Sequence, residues 1–292
     1  MLLQQLVNGL MLGSTYALVA IGYALIFGVL RLLHLAHGEV FMVGAFSGLV
    51  ITLWFGFGPL VALIGGLVGA GLLGMLLELI AFRPIRHRGD SFLAPIVSSV
   101  GAGLVLQELM TKAFGGEQVG FPPQFESSVY HFFGLTFTST QLFIMTVAVA
   151  SMVGLHVFVS YTRLGTAIRA ASENIQVAAI LGVNVDTVVI LSFAIASALA
   201  GIAGVLVGLN FNAISPFMGT DMAVKGFAIM LIGGLGSIYG AMAGGLILGV
   251  VEVLSVAYLA TTYRDAFVFI LMILILLVRP RGLFSAVVES GR

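Results

Sequence analysis

The chain contains no cysteine, and only 8% of its 292 residues are charged, against roughly a quarter in an ordinary soluble protein. The absence of cysteine excludes disulfides, thiol catalysis and cysteine-ligated metal sites. The charges balance to a net charge of zero, which predicts no nucleic-acid partner. The sequence also lacks the GxxxxGK[ST] phosphate loop and the HExxH and GxSxG motifs. We therefore predict no catalytic residue, no cofactor and no metal site.

Long uncharged stretches dominate the chain, and 60% of its residues are hydrophobic. Because about 20 apolar residues cross a bilayer as a helix, these stretches predict a polytopic protein. The 38 glycines favour close helix packing, for example at Gly9 and Gly13. We predict an all-α fold, a single transmembrane helical bundle over residues 1–292 in contact with the lipid bilayer. Its eight or nine spans are expected at 6–30, 38–55, 60–82, 92–112, 140–160, 186–209, 222–238, 240–260 and 266–279.

Basic residues lie mostly in loops on one side of the predicted bundle, and such loops are retained in the cytoplasm. The opposite side carries Lys112, Lys225 and Arg264, together with the longest external loop, residues 114–139, which is a candidate docking site for an external protein. This distribution predicts that the N-terminus lies outside and the C-terminus in the cytoplasm. The cytoplasmic basic residues are Arg31, Arg83, Arg86, Arg88, Arg163, Arg169, Arg279, Arg281 and Arg292.

Two segments allow more than one interpretation. Residues 233–245, GGLGSIYGAMAGG, are either a tight turn between two short helices or a broken helix inside the bundle, as transporters often use. The stretch RLLHLAHGE, residues 31–39, is either a loop between the first two spans or a re-entrant segment.

Residues 161–185 form the one predicted cytoplasmic connection that is both long and patterned like a helix. Apolar residues recur at helical spacing, polar residues such as Arg169 and Glu173 fall on the other side, and Gly182 supplies a C-terminal stop. We predict a short amphipathic helix over residues 164–182. Its apolar face either inserts into a groove on a soluble partner or lies at the lipid headgroups. The apolar residues are Ile168, Ala171, Ile175, Ala178 and Ala179.

Ionisable groups within membrane spans are costly and usually face protein or water. Glu252 falls near the middle of its predicted span, whereas Glu39, Glu78 and Glu108 lie nearer to span ends. Glu252 is therefore a candidate translocation-path or gating residue, and its alternative role is a hydrogen bond to a neighbouring helix or subunit. Asp221 and Lys225, four residues apart, are positioned to pair with each other.

Two further groups of polar residues are candidates for the path. Ser14, Thr15 and Tyr16 place small polar groups on the first span, where they either line a water-filled route or bond to their own backbone. His37 and Glu39 are compatible with a proton relay or a gate, but two residues separated by one glycine do not make a metal site. A structural hinge is the more common use of such a segment.

Three stretches of the sequence together resemble one known family. They are ALVAIGYALIFGVLRLLHLAHGEVFMVGA, RAASENIQVAAILGVNVDTV and GGLGSIYGAMAGGLILGVVE, and they are similar, in the same order, to the branched-chain amino acid permeases of ATP-binding-cassette importers. Two residues depart from the family pattern, since His34 stands where asparagine is expected and Tyr239 where proline is expected.

The resemblance implies a permease subunit in a bacterial inner membrane that acts with cytoplasmic ATPase subunits, a second permease and a periplasmic solute-binding protein. It also implies that residues 161–185 contain the coupling helix that docks on the ATPase, with roles for Arg169, Glu173, Asn174 and Gly182. The implied solutes are leucine, isoleucine and valine, although relatives in the family carry urea, short amides and other amino acids.

Two other classes of function compete with this interpretation. A self-sufficient transporter coupled to protons or sodium needs buried carboxylates near the middle of the membrane, and only Glu252 is well placed for that role. An intramembrane enzyme has no supporting motif in the sequence.

Overall fold

The computed structural model describes residues 1–56, 58–88, 93–122, 128–132, 134–259 and 261–284. These residues form a helical bundle, which confirms the predicted all-α membrane fold. Residues 123–127 and 133 of the predicted external loop, and Arg292, lie outside the described residues. The helices are α1 Leu2–Leu30, α2 His37–Phe55, α3 Pro59–Leu77, α4 Arg83–Arg88, α5 Leu93–Phe114, α6 Ser139–Tyr161, α7 Arg163–Glu173, α8 Ile175–Ile180, α9 Val185–Phe211, α10 Met218–Gly233, α11 Ile238–Tyr258 and α12 Arg264–Val278.

Eight helices in the described part of the chain are long and apolar enough to cross a membrane. One of them, Pro59–Arg88, combines α3 and α4 through a π-helical turn at Glu78–Phe82. The predicted span 222–238 overlaps α10, which has 16 residues. At 1.5 Å per residue α10 is about 24 Å long, shorter than the roughly 30 Å hydrocarbon core. The chain is therefore a multi-pass membrane protein, with eight long spans among the described residues and α10 as a shorter helix.

The two ends of the bundle are distinguished by the contacts of α1. Near its start, Gln4 donates a hydrogen bond to the carbonyl of Thr136 at 2.9 Å, in strand β3. At its other end, Arg31 donates to the carbonyl of Ser172 in α7 at 3.4 Å. We call these the strand end and the α7 end. The strands are β1 Val119–Gly120, β2 Val129–Phe132, β3 Leu135–Thr138 and β4 Ala213–Ile214.

Helices α1 and α11 pack antiparallel through small residues. Gly9 and Gly13 approach the backbone of Val250 and Gly245, so that a side chain at either glycine would collide with the facing helix. Helix α3 packs on α9 in the same manner, with Gly66 against Gly201. Each of these glycines lets two backbones approach closely, as is typical of membrane helix interfaces.

Helices α1 and α9 end in the same way, and each is followed by a second helix that begins inside the bundle. Helices α1 and α9 both end at a non-glycine residue with positive φ, Arg31 at 54° and Asn212 at 51°. Six residues later α2 and α10 begin, and Gly38 of α2 lies directly against Gly219 of α10. Ala36 and His37 are buried, which favours the re-entrant interpretation of residues 31–39. Two helices thus begin face to face inside the bundle, an arrangement found where transporters interrupt their spans.

The glycine-rich segment 233–245 contains a turn rather than a break within one helix. Gly234 and Gly236 have φ values of 110° and 77°, which favour glycine. Ser237 then caps α11, because its hydroxyl accepts a hydrogen bond from the amide of Gly240 at 3.0 Å. Tyr239, the departure from the family pattern, lies in the first turn of α11, where its hydroxyl is 2.8 Å from Nδ1 of His156.

Candidate functional site

The segment predicted as one amphipathic helix is two helices, so the single-helix prediction for 164–182 is wrong. Helix α7 ends at Glu173, Asn174 is extended with φ −154°, and α8 begins at Ile175. The Asn174 Oδ1 accepts hydrogen bonds from the amides of Gln176 and Val177, both at 3.0 Å. Asparagine favours this conformation because its side chain caps the next helix.

Most of the predicted apolar face of this segment points into the protein, although Ile175 is half-buried and Ala179 is exposed. Ile168, Ala171 and Ala178 are buried in a cluster with residues of α1 and α9, including Leu25 and Val188. These three side chains are therefore not available to insert into a groove on a soluble partner, because the bundle already covers them. Helices α7 and α8 are fixed to the membrane helices by this contact.

A different apolar surface faces outward. Val177, Ile180 and Leu181 have exposed fractions of 49%, 84% and 77%. Glu173 and Gly182 are also exposed, and Gly182 has a positive φ of 88° in the turn that leads to α9. An exposed cluster of large apolar side chains is typical of an interaction surface. We call Val177, Ile180 and Leu181 the α8 patch.

Arg169 has partners within its own chain. Its guanidinium donates to the carbonyl of Val159 near the end of α6 and to the Thr166 hydroxyl. Gly165, also in α7, lies against the backbone of Phe158 and Val159 with no room for a side chain. Arg169 therefore fastens α7 to α6, whereas Glu173, Asn174 and Gly182 are exposed.

A network of charges joins the end of α3 and α4 to the start of α9, directly after the segment. Arg86 donates to Glu78 at 2.8 Å and to Asp186 at 2.7 Å. Arg83 also pairs with Glu78 at 3.3 Å. The Glu78 side chain is completely buried, although Glu78 lies near the end of its predicted span. Sequence reasoning considered Arg86 only as an orientation signal, because its partners lie 8 and 100 residues away.

Glu252 lies at the centre of a second network, nearer the strand end. Its Oε1 accepts hydrogen bonds from Lys225 Nζ and from the Tyr16 hydroxyl, each at 3.0 Å, and from Arg264. Lys225 also pairs with Asp265 at 3.3 Å. The structure thus brings Tyr16 and Glu252 together, and Lys225 pairs with these groups instead of Asp221. Sequence reasoning missed Lys225 and Arg264 as partners of Glu252.

Ser14 and Thr15 bond to their own helix. Each hydroxyl donates at 2.7 Å to a carbonyl three residues earlier, that of Met11 or Leu12. Both side chains are buried. Their hydroxyls are therefore used within α1, the more common of the two roles considered for them.

His37 and Glu39 lie at the start of α2 and contact different helices. The His37 ring packs edge-on against Tyr23 of α1, with centroids 4.6 Å apart. Glu39 Oε1 accepts a hydrogen bond from the Thr220 hydroxyl at 3.2 Å, in the first turn of α10. His34 packs against His37, with ring centroids 5.6 Å apart. These residues form the buried junction of α1, α2 and α10.

Comparison with known proteins shows relatives of nearly equal length. Residues 5–276 match the family described as "Branched-chain amino acid transport system / permease component". The chain is 40% identical to the high-affinity branched-chain amino acid transport system permease protein LivH of Escherichia coli (strain K12), over 97% of this chain and 95% of that one. It is 37% identical to the permease protein BraD of Pseudomonas aeruginosa, over the same shares.

Two further proteins are more distant. LivM of Escherichia coli (strain K12), also named a high-affinity branched-chain amino acid transport system permease protein, is 28% identical over 92% of this chain and 67% of its own. The structure of PsaBC from Streptococcus pneumoniae in complex with Fab has the same fold, with a TM-score of 0.51, 12% identity, and coverage of 94% of this chain and 91% of that one. The chain belongs to the branched-chain amino acid permease family and is a transport subunit rather than an enzyme.

Proposed function

We propose that this chain is one of two permease subunits of an ATP-driven importer that moves branched-chain amino acids or similar small solutes across the bacterial inner membrane. Residues 1–292 act as a single transmembrane domain, with the N-terminus and the strand end outside and the C-terminus and the α7 end in the cytoplasm. Family membership and the names of the relatives support the solute class. Similarity to both LivH and LivM favours a heterodimer of two related permeases.

The single observation that carries this proposal is the α8 patch. Two large apolar side chains are exposed on α8 and a third, Leu181, at its C-cap, while the other face of α8 is fixed to the bundle. A separate ATPase that docks on the patch supplies energy to a chain that has no phosphate loop. Glu173, Asn174 and Gly182 border the patch and shape the docking surface. Arg169 contributes by holding α7 on α6.

The contacts of this segment give a route for force to the membrane helices. Movement of α8 is passed to α9 through the short connection 181–184, and to α1 through the buried cluster of Ile168 and Ala171. The Arg86 link to Asp186 passes it further, from α9 to the end of α3. Such packed contacts transmit motion because a dense core is not continuously deformable.

The residues proposed for the translocation path have different roles in this account. Tyr16 and Glu252 belong to the charged network toward the strand end. His37 and Glu39 form the junction where α2 and α10 begin, and a gate at this junction would move both helices. Ser14 and Thr15 lie on the same stretch of α1, and their exchange of backbone bonds for contacts with water is the change that would place them in an open path.

A secondary transporter driven by an ion gradient is the alternative. Such a protein needs a carboxylate free to bind the coupling ion. The Glu252 carboxylate accepts hydrogen bonds from two cationic side chains in this structure. These bonds favour the importer, because a cation bound there would have to displace both partners.

Copurification tests the proposal. A tagged chain, expressed in its native host and purified in mild detergent, is expected to bring down a P-loop ATPase and a second permease, identified by mass spectrometry. The variant Ile180→Asp in the α8 patch should lose the ATPase while keeping the second permease. Recovery of the chain alone, with ion-driven uptake in liposomes, would support the secondary transporter instead.

A further inference from the structure

A cavity of about 400 Å³ lies inside the bundle toward the strand end. Its walls come from α1, α2, α9, α10 and α12, and from β4. Strand β4 pairs with β1, Val119 opposite Ile214, so the external segment covers this part of the bundle. A partly enclosed cavity between helices is a common position for a small-molecule site.

One end of the cavity carries charges of both signs. Lys225, Arg264 and Asp221 all line it. The ammonium of Lys225 has three N–H groups, and it has three acceptors already, in Glu252, Asp265 and Tyr16. Arg264 has five N–H groups, and its bonds to Glu252 and Tyr16 leave others for a ligand.

Asp221 makes no ion pair with any other residue that the structure describes. It is exposed on α10 one helical turn before Lys225. A ligand ammonium group is the natural partner for this carboxylate. The cavity therefore offers a free cationic site at Arg264 and a free anionic site at Asp221.

Most of the remaining wall is apolar, although Tyr16, Gln118 and Ser215 also line the cavity. Phe41, Val207 and Met222 are buried residues that line it, and Leu12 and Met218 complete this part of the wall. Flexible methionine side chains adapt to apolar groups of different shape. An aliphatic side chain of a few carbons fits such a wall and loses its contact with water there.

We propose that this cavity binds a free α-amino acid with an aliphatic side chain during transport, the carboxylate at Arg264, the ammonium at Asp221 and the side chain against Phe41, Val207 and Met222. This inference rests on the proposed function and narrows its solute class. Urea and neutral amides lack both charges, so they leave Arg264 and Asp221 without partners and bind more weakly. Glu252 is a positioning residue, since it holds Arg264 and Lys225 in place without a direct contact with the solute.

The absence of cysteine allows a direct test. Met218→Cys places the only thiol of this subunit in the cavity wall, and Tyr258→Cys, on an exposed residue outside the cavity, is the matched control. The whole importer complex in nanodiscs, without binding protein, is treated with a thiol-alkylating reagent at increasing leucine concentration. Modification of this subunit is followed by mass spectrometry, so the midpoint of protection reports leucine binding to the cavity itself.

Leucine is expected to slow alkylation of Met218→Cys and not of Tyr258→Cys. Its analogues 3-methylbutylamine, which lacks the carboxylate, and 4-methylpentanoate, which lacks the ammonium, should need about tenfold higher concentrations, the ratio expected when one charge-assisted hydrogen bond is lost. Asp221→Asn should raise the leucine midpoint by about the same factor. Glu108→Gln, an exposed acid elsewhere on the chain, should leave the midpoint unchanged.

Three results would overturn the proposal: no protection by leucine, equal protection at both cysteines, or equal midpoints for leucine and its two analogues. If Met218→Cys prevents assembly of the complex, Val207→Cys probes the same cavity from α9. Uptake assays separate this inference from the proposed function. If the complex imports leucine with ATP but leucine gives no protection, only the proposal that the cavity binds leucine is contradicted. If the complex shows no ATP-driven uptake, the proposed importer function is contradicted.

Discussion

Arg86 donates hydrogen bonds to Asp186 at 2.7 Å and to Glu78 at 2.8 Å, and thereby joins the end of α3 and α4 to the start of α9. Asp186 is two residues beyond Asn184, which caps α9 after the α7 and α8 segment. The Glu78 side chain is fully buried. Arg86 thus pairs with a buried carboxylate, and it also holds the start of α9, which directly follows the α7 and α8 segment that is proposed to receive force from the ATPase.

Replacement of Arg86 should destabilise the protein. Arg86→Ala leaves the Glu78 carboxylate buried with Arg83 as its remaining ion-pair partner among the described residues. Loss of one partner of a buried ion pair costs about 3 to 5 kcal/mol in free energy of unfolding. We expect a clear fall in the thermal melting temperature in detergent. Arg88→Ala, a change of an exposed arginine in the same short helix, is the control and should melt like the native protein.

A double variant tests the same ion pair. Glu78→Gln together with Arg86→Ala removes both charges, so the cost of a buried carboxylate that has lost its closer partner disappears. The double variant should melt at a higher temperature than Arg86→Ala. Equal melting of the single and double variants would show that Glu78 does not depend on Arg86.

The α8 patch gives a prediction about coupling. Ile180→Asp places a charge in the surface proposed to dock on the ATPase, so it should reduce ATPase copurification by at least about tenfold, the effect of roughly 1.4 kcal/mol in binding. Arg163→Asp, a change of an exposed residue at the start of α7 and away from the patch, should bind the ATPase normally. Unchanged ATPase binding by Ile180→Asp would show that the ATPase does not dock on the α8 patch.

Two substitutions beside the patch test the coupling of ATP hydrolysis to solute uptake. Gly182 has φ 88°, and proline fixes φ near −65°, so Gly182→Pro disrupts the turn into α9. We expect Gly182→Pro and Glu173→Ala to insert in the membrane but to hydrolyse ATP without solute uptake. Measurement of ATP hydrolysis and uptake in the same proteoliposomes checks this, and normal uptake per ATP in both variants would contradict the role of this turn.

The Glu252 network predicts unequal effects of two acidic residues. Glu252→Ala leaves Lys225 and Arg264 partly buried without their shared carboxylate, and a loss of about 3 kcal/mol in stability is expected. Asp265→Asn removes a carboxylate that is 70% exposed, so its effect should stay below about 1 kcal/mol. Thermal melting of the two variants in detergent compares them. Equal melting would mean that Glu252 is not the centre of the network.

The close contact between the starts of α2 and α10 gives a prediction about packing. A methyl group at Gly219 would collide with Glu39 and with the backbone of Gly38, so Gly219→Ala should cost about 1 to 3 kcal/mol through overpacking. Gly154 in α6 has open space at the same position, and Gly154→Ala should be neutral or stabilise by up to about 1 kcal/mol. Denaturation of each variant in mild detergent measures the difference. Equal stability would contradict the tight approach of α2 and α10.

The long spans could be predicted from sequence because hydropathy alone determines which stretches cross a bilayer. The sequence could not predict which faces of α7 and α8 point toward the bundle. Periodicity shows that Ile168, Ala171 and Ala178 share a side, but not whether the bundle or a partner covers that side. The exposed Ile180 and Leu181 lie off that stripe, and nothing in a single sequence separates them from lipid-facing residues.

The partners in the charged networks also could not be predicted from the sequence. Glu252 is conspicuous in sequence as an acid in an apolar span, and the structure does give it special partners. Those partners, Lys225 and Arg264, lie 27 and 12 residues away on other helices. A spacing of four residues favours the pair of Asp221 and Lys225, yet tertiary packing turns Lys225 toward Glu252 instead.

Solute uptake by a reconstituted complex is the decisive test of ATP-driven import through this chain. Proteoliposomes that contain this chain, the copurified second permease and the ATPase are supplied with leucine-loaded binding protein, and leucine uptake is measured with and without ATP. We expect leucine uptake only with ATP, and we expect this uptake to be lost when Ile180→Asp replaces the native chain. Leucine uptake by this chain alone, driven by an ion gradient without ATP, would contradict ATP-driven import.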